Sequence, residues 1–241
     1  MNKKGFTLAE VLISLAIIGV VAAITIPALY NSNQYQTLVS KLASSVSSLE
    51  NAFSAMLIEE GANGLEATEF ATLMTAQTPN YNRASGVLGE YLKNSGISLK
   101  TYAIKNLNGT AANITALPAI VMKNGSWVML RNFNVAHSTS ITDAIIRDNG
   151  GSLYQQFAEV IIDVNGDQAP NINGRDIFYY ILGDDGILYP MGGKDERIFI
   201  TGTFTDNDRN NIDTVCSTSG QTAYGITCAA RLMLNGNKID Y

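Results

Sequence analysis

The sequence predicts an α+β fold in which a long N-terminal α-helix, with a membrane-embedded first half, packs on an antiparallel β-sheet and a disulfide closes a C-terminal loop. Three observations predict this fold. An uncharged apolar run follows a short basic start, apolar residues then recur at helical spacing, and strand-like segments joined by turn residues fill the second half of the chain. A helix and a sheet that each have an apolar face bury those faces against each other.

Composition and charge narrow the class of protein. The 241 residues carry a formal net charge of -5, and charged residues make up only 15% of the chain. This length suits one sizeable domain with a terminal element. Because nothing in this composition is suited to neutralising nucleic-acid phosphates, the sequence predicts no nucleic-acid contact.

The first element is an apolar helix preceded by two lysines. Positions 11–29 hold no charged residue, which meets the roughly 20-residue length that a membrane-spanning helix needs. Lys3 and Lys4 precede this run, whereas the next basic residue is Lys41. The positive-inside rule therefore predicts a single-pass topology, with the N-terminus in the cytoplasm and the chain after Asn31 outside it.

Glu10 bears on three interpretations of this segment: a cleaved signal peptide, an uncleaved anchor and a more specialised element. Val21, Ala22 and Ala23 could form the small-residue cleavage site of a signal peptide. A carboxylate at the start of the apolar run argues against that interpretation, because a charge at bilayer depth costs about 2.5 to 3.5 kcal/mol even on the lenient insertion scale. We therefore expect Glu10 to have a function.

The stretch KGFTLAEVL at residues 4–12 resembles the processing signature of type IV prepilins and type II secretion pseudopilins. In that signature a short basic leader ends in glycine, as at Gly5, and the mature chain begins with phenylalanine, as at Phe6. Glu10 is then the fifth mature residue, and Pro27 falls where the family tends to carry a proline. Beyond about the first 30 residues the resemblance is one of layout rather than of motif.

This resemblance implies a processing reaction and a set of partners. It implies that a membrane prepilin peptidase cuts between Gly5 and Phe6 and methylates the new amine of Phe6. It also implies that Glu10 pairs with the terminal amine of a neighbouring pilin or pseudopilin subunit, and that an inner-membrane assembly platform with its ATPase polymerises the subunits. Physical chemistry agrees, because opposite charges attract strongly where the dielectric is low and each charge alone is penalised.

The resemblance also divides the chain into a leader at 1–5, a transmembrane and assembly half-helix at 6–30 and a periplasmic or cell-surface body at 31–241. A kink is expected at Pro27, because proline removes one helical hydrogen bond. The helical pattern then continues on one face, at Leu38, Leu42, Val46, Leu49, Phe53 and Met56. The glycines at 61–64 predict the end of the helix.

The rest of the chain predicts short helices followed by strands. The helices are predicted at 68–76 and 86–94. Strands at 119–122 and 127–130 are joined by Asn124-Gly125, which suits a two-residue hairpin turn. Further strands are predicted at the apolar runs 157–162, 177–182, 187–189 and 229–234.

Cys216 and Cys228 are the two cysteines of the chain. If the body lies outside the cytoplasm, they are expected to form a disulfide that stabilises the fold by about 3 kcal/mol in the chain-entropy model. A cytosolic body would instead keep two separate thiols.

Oxygen-bearing side chains concentrate after the strand predicted at 157–162. Asp163, Asn165 and Asp167 at alternate positions, with Asp176 further on, resemble the start of a calcium loop. The loop departs from an EF-hand because its glycine, Gly166, stands at the fourth rather than the sixth place. The alternative is an Asx-rich connection that hydrogen-bonds its own backbone. The sequence requires no cofactor, and calcium is the candidate that this loop offers.

Three smaller features of the sequence could be functional or merely structural. The acidic stretch at 205–208 could bind a cation or form a solvated turn. His137, the one histidine, has no partner of catalytic type nearby in the sequence and is expected in a loop. Trp127 is expected to pack within its hairpin.

The sequence predicts a structural protein rather than an enzyme. It contains no Gly-x-Ser-x-Gly elbow, phosphate-binding loop or His-Glu-x-x-His pattern. The function it predicts is a subunit of a type IV filament, either a surface pilin or a type II secretion pseudopilin. The alternative is a secreted or membrane-anchored calcium-binding module with no filament role.

Overall fold

The computed structural model describes residues 7–75, 78–92, 96–112, 114, 116–132, 156–191 and 206–241. The chain divides into two compact units, Met1–Thr37 and Leu38–Tyr241. Helix α1, Leu8–Glu60, contributes residues to both units. The second unit contains the remaining helices and the whole β-sheet.

Helix α1 ends where the glycine pattern predicts. Gly61 adopts a φ of 62°, the left-handed conformation that glycine reaches without strain. The N–H of Gly61 donates to the carbonyl of Ile58 (3.3 Å), and the N–H of Ala62 donates to the carbonyl of Leu57 (2.9 Å). This pair of bonds is the Schellman motif, which satisfies carbonyls that the last helical turn leaves unpaired.

The predicted apolar face of α1 is confirmed in the second unit. Leu49, Phe53 and Met56 are fully buried, and Leu42 is nearly so. Leu38 and Val46 pack against the same core while remaining partly exposed. The spacing of these residues therefore reports the side of the helix that covers the sheet.

Two short helices follow α1. A 3-10 turn, Leu65–Ala67, leads to α2, Glu69–Thr75, which confirms the helix predicted at 68–76. Helix α3 spans Tyr81–Leu92 and begins earlier than the predicted 86–94. The reason is Asn80, whose side-chain Oδ1 accepts the N–H of Arg83 (3.1 Å) and so caps the first turn.

Six strands form one antiparallel sheet in which each strand pairs with the next along the chain. The predicted strand pairings of the hairpins are confirmed. The first turn has three residues rather than two, because the N–H of Met122 donates to the carbonyl of Ser126 (2.8 Å), and Gly125 has a φ of 86° whereas Asn124 has no positive φ. The short edge strand before the hairpins was not predicted. The strands are β1 Gly96–Leu99, β2 Pro118–Val121, β3 Trp127–Asn132, β4 Gln156–Asp163, β5 Ile177–Gly183 and β6 Leu188–Pro190.

Both faces of the sheet are buried. Leu130, Val160 and Tyr180 lie on the face that packs against α1. Alternate residues of the same strands, such as Met129 and Ile161, form a second core on the other face with the segment that precedes β2. The expected layering, helix on one face of the sheet, is therefore confirmed and a second covering layer is added to it.

The C-terminal region is helical, which corrects two predictions. Helix α4 spans Asp206–Val215, so positions 206–208 begin a helix rather than form a turn. The strand predicted at 229–234 is wrong, because this segment lies in helix α5, Cys228–Leu234. Its run of alanine, arginine, leucine and methionine consists of strong helix formers, and an apolar run this short does not distinguish helix from strand by periodicity.

Candidate assembly site

The N-terminal part of α1 is long and apolar enough to cross a membrane. The segment Leu8–Ile26 has 19 residues and a mean hydropathy of 2.5, and none of it is buried inside the structure. At 1.5 Å per residue it reaches about 28 Å, close to the thickness of a bilayer hydrocarbon core. Length and composition alone give this result, and a signal sequence near an N-terminus meets the same criteria.

Glu10 and Thr7 form a capping box at the start of α1. The backbone N–H of Thr7 donates to Glu10 Oε2 (2.8 Å), and the hydroxyl of Thr7 donates to the same oxygen (2.8 Å). In return the N–H of Glu10 donates to Thr7 Oγ1 (3.3 Å). This reciprocal arrangement satisfies N–H groups that the first turn of a helix leaves unpaired.

The capping box fixes where the carboxylate of Glu10 can act. Both of its bonds from Thr7 end on Oε2, and among the described residues no hydrogen bond ends on Oε1. A negative charge at a helix N-terminus is also stabilised by the helix dipole. The carboxylate is thus held at the end of the helix with one oxygen available to a donor from elsewhere.

Thr7 is a site residue that the sequence reasoning missed. The signal was present, because a threonine followed three residues later by a glutamate, just before an apolar run, is typical of a capping box. The charge of Glu10 explains its presence in the apolar run by itself, and so the sequence analysis does not include its hydrogen-bonding role.

The other predicted site residues of the N-terminus remain predictions. Gly5 and Phe6 lie outside the described residues. Pro27 lies within the bounds of α1, and the kink expected there stays a prediction. His137 also falls outside the described part of the chain.

The predicted disulfide between Cys216 and Cys228 is confirmed, with an S–S distance of 2.00 Å. It joins the residue after α4 to the first residue of α5, and both cysteines are fully buried. Gly174 lies directly against it, because a Cβ at that position would approach Cys228 Sγ to 2.4 Å. The disulfide therefore packs on the β4–β5 connection, residues 164–176.

Asp163, the last residue of β4, is fully buried at the start of this connection. Its Oδ2 accepts the hydroxyl proton of Tyr102. Burial raises the pKa of the Asp163 carboxyl, the bond from Tyr102 lowers it and the negative charge of Asp176 raises it, and together with smaller effects these bring it to about 8. Asp163 is thus held in a low-dielectric environment next to a second carboxylate.

Much of the connection hydrogen-bonds its own backbone, as the Asx-rich alternative expects. Asp176 accepts the N–H groups of Asn171 (2.8 Å) and Ile172 (2.7 Å). The Nδ2 of Asn165 donates to the carbonyls of residues 168 (3.0 Å) and 169 (3.3 Å). Asp167 is exposed. Within the described ranges no three His, Cys, Asp or Glu side chains are grouped so as to hold a metal ion.

Trp127 packs against Tyr102, with ring centroids 5.8 Å apart and planes inclined at 55°. Its side chain is partly buried in the second core. Trp127 thus has the packing role that the sequence predicts, but Tyr102 lies outside the hairpin in which that packing was expected.

Comparison with known proteins identifies the N-terminal segment. Residues 1–26 match the family model described as the prokaryotic N-terminal methylation motif. This motif is the signature of type IV pilins and pseudopilins, and it includes Gly5, Phe6, Thr7 and Glu10. No curated protein and no solved structure matches the chain.

Proposed function

With the methylation motif of residues 1–26 as the premise, we propose that the chain is a structural subunit of a type IV filament, either a surface pilin or a type II secretion pseudopilin. It is made as a precursor whose leader, residues 1–5, is removed by a prepilin peptidase that then methylates Phe6. The retained α1 anchors the subunit in the inner membrane, with the N-terminus in the cytoplasm and the body outside. An assembly platform and its ATPase then polymerise it with other subunits.

The disulfide supports the proposed location of the body. Cys216 and Cys228 are both fully buried and bonded to each other. Disulfides persist in oxidising compartments and are rare in the cytosol. This supports a body on the far side of the membrane from the peptidase and the ATPase.

The geometry of Glu10 is the observation that carries the proposal. Cleavage after Gly5 would place a cationic amine on Phe6, the residue directly before Thr7. Because the capping box binds only Oε2 of Glu10, Oε1 can accept a hydrogen bond from such an amine on a neighbouring subunit. The capping box holds the carboxylate at the helix end, and the neighbour supplies the opposite charge.

The free energy of pairing Glu10 with the amine of a neighbouring subunit is large enough to favour assembly. A lone carboxylate at bilayer depth costs about 2.5 to 3.5 kcal/mol on the lenient scale. Removing one partner from a buried ion pair costs about 3 to 5 kcal/mol, since the other charge is left uncompensated. Repeated at each subunit, a term of this size favours a register in which every Glu10 meets an amine.

Glu10→Ala tests the proposal. We expect the variant to insert into the membrane and to lose its leader normally, while its incorporation into filaments falls at least about tenfold, because the subunit interface loses one charge of a pair. Incorporation is measured as the fraction of the protein in sheared or detergent-resistant filaments, and leader removal by the mass of the membrane-bound subunit.

Ser14→Ala is the matched control. Ser14 lies on the next turn of the same apolar helix, and among the described residues its hydroxyl donates to the carbonyl of Glu10 alone (2.8 Å). This variant should assemble normally. If Glu10→Ala were incorporated into filaments as well as the wild type, the assembly role of Glu10 would be contradicted.

A further inference from the structure

We propose that the β4–β5 connection is a binding site for a divalent cation, namely Ca²⁺, with side-chain oxygens supplied by Asp163, Asn165, Asn171 and Asp176. The site lies in the second compact unit and does not depend on the filament role. It differs from the sequence prediction in one ligand, because Asn171 replaces the exposed Asp167.

The four residues come together around Asp176. Its carboxylate accepts the backbone N–H of Asn171 (2.8 Å), and the side chain of Asn165 lies within hydrogen-bonding reach of it. Its charge in turn acts on Asp163, the residue that pairs with Ile177 across the sheet. Residues from both ends of the connection therefore meet at one place.

Three buried oxygens at this place lack a hydrogen-bond donor. Within the described residues, the buried side-chain atoms that have no hydrogen-bond partner include the Oδ1 atoms of Asp163, Asn165 and Asn171. The N–H groups of Asn165 and Gly166 lie near the Asp163 carboxylate and lower its pKa, but neither meets the geometry of a hydrogen bond to Oδ1.

Such a concentration of unpaired oxygens points to a ligand. A buried acceptor left unpaired costs about 1 to 3 kcal/mol, and native structures rarely leave several of them together. A cation binds several oxygen acceptors at once and compensates their charge as well. Asp163 is the decisive member, since its side chain is fully buried and carries one of the unpaired oxygens.

The described side chains near the two carboxyl groups of the site form no ion pair with them. Tyr102 donates to Asp163 but is neutral, because burial raises its pKa. Lys100 lies within electrostatic reach of Asp163, yet its Nζ donates to the carbonyl of Ile114 (3.2 Å). Among the described residues no basic side chain forms an ion pair with Asp163 or Asp176. Asp167, a further acidic residue of the connection, is exposed.

The donor set selects the kind of cation. Carboxylate and amide oxygens suit hard cations, whereas zinc is held mainly by histidine and cysteine. Mg²⁺ requires near-ideal octahedral geometry and keeps several waters, whereas Ca²⁺ accepts six to eight oxygens in an irregular arrangement. Two carboxylates and two amides carry little charge for such a site, so we expect a dissociation constant of about 0.1 to 1 mM, as in extracellular modules.

Terbium luminescence tests the site directly on the full chain in detergent micelles. Tb³⁺ occupies calcium sites and emits when a nearby indole is excited. Trp127, the one tryptophan of the chain, lies across the sheet from Asp163 and against Gly166, where a Cβ would come within 2.9 Å of its Nε1. We expect tryptophan-sensitised terbium emission that Ca²⁺ displaces, and a rise in melting temperature of about 3 to 10 °C in 10 mM CaCl₂.

A matched pair of variants locates the site. Asp163→Asn keeps the shape of the side chain and an acceptor for Tyr102 but replaces the carboxyl group with an amide, which cannot become an anionic ligand, so the affinity for Ca²⁺ should fall at least about tenfold. Asp185→Asn is the control, because Asp185 also accepts a tyrosine hydroxyl, that of Tyr189 (2.6 Å), in the turn between β5 and β6. Its affinity should stay within about twofold of the wild type.

Two results would overturn the proposal. If the wild-type chain shows no terbium emission that Ca²⁺ displaces, the unpaired oxygens are satisfied by water. If Asp163→Asn binds Ca²⁺ as tightly as Asp185→Asn does, the cation lies elsewhere. The wild-type titration decides the question even if Asp163→Asn does not fold. Neither result bears on leader removal or filament incorporation, which test the proposed function separately.

Discussion

Glu10 has two roles at the scale of single residues. Its charge suits a pairing with an amine, and its carboxylate closes the capping box with Thr7. The first role could be inferred from the sequence, because a carboxylate in an apolar run is costly. The second is local geometry. It explains how a single residue can begin the helix and still present an oxygen to a neighbouring subunit.

Thr7→Val tests the capping box. The substitution keeps the shape of the side chain but removes the hydroxyl, so the N–H of Glu10 loses its acceptor and the helix start loses about 1 kcal/mol. We expect amide hydrogen exchange at Glu10 to become about fivefold faster for the full chain in detergent micelles. Thr25→Val is the control, because among the described residues the hydroxyl of Thr25 bonds to the carbonyl of Val21 alone (2.9 Å). Unchanged exchange at Glu10 in Thr7→Val would contradict the box.

At the scale of secondary-structure elements, two glycines show that the position of a glycine in a helix determines how its substitution changes stability. Gly61 ends α1 with a φ of 62°, and nothing lies within 4 Å of a Cβ built there. Gly86 lies within α3 with equally open space and no positive φ. An added methyl group therefore meets no steric obstacle at either site, and the backbone conformation alone determines the sign of the change in stability.

Gly61→Ala and Gly86→Ala should consequently change stability in opposite directions. Alanine at Gly61 must adopt a left-handed conformation, which we expect to lower the free energy of unfolding by about 1 kcal/mol. Alanine at Gly86 favours the helix and should raise it by about 0.5 to 1 kcal/mol. Thermal unfolding of the two variants beside the wild type measures both effects. A loss of stability in Gly86→Ala comparable to that in Gly61→Ala would contradict this explanation.

The elements that the sequence predicts are those with a strong local signal. Asn124-Gly125 and the apolar stripe from Leu38 to Met56 specify a turn and a helix face without help from the rest of the chain. The sequence predicts a strand where helix α5 lies, because a short apolar run fits either structure. Helix α4 has a weak sequence signal because it is rich in Asp and Asn, which are weak helix formers. Strand β1 has a weak signal because it is only four residues long.

At the scale of the whole molecule, the candidate sites also divide into one that a contiguous stretch of sequence identifies and one that requires the fold. The methylation motif is contiguous, so residues 1–26 identify it without a structure. The β4–β5 site is not contiguous: Asn171 belongs to it only because the connection folds back on Asp176, and Tyr102 only because a distant segment covers the sheet. The disulfide could be anticipated because the chain has only two cysteines, whereas its contact with Gly174 required the structure.

The two units of the chain correspond to two separable roles. Residues up to Thr37 carry the membrane segment and the methylation motif, and residues from Leu38 onward carry the sheet, the disulfide and the polar connection. Under the proposed function the first unit assembles and anchors, while the second determines what the filament presents. A surface pilin and a secretion pseudopilin would differ in the second unit rather than in the first.

Gly5→Ala provides a variant that separates processing from insertion. The peptidase must approach the backbone closely at the cleavage site, and an added methyl group obstructs that approach. We expect the precursor to accumulate in the membrane with its leader attached, whereas Asn2→Ala, within the leader but away from the cleavage site, should be processed normally. An immunoblot that shows a mature-size band for Gly5→Ala would contradict this role of Gly5.

The mass of the mature N-terminus tests the central claim most directly. Intact-mass and N-terminal peptide analysis of the membrane-bound protein should show a chain that begins with N-methylated Phe6 and retains the whole of Leu8–Ile26. A chain that begins near Ile24, after the small residues at 21–23, would mean that the apolar run is a cleaved signal peptide and would contradict the filament-subunit account.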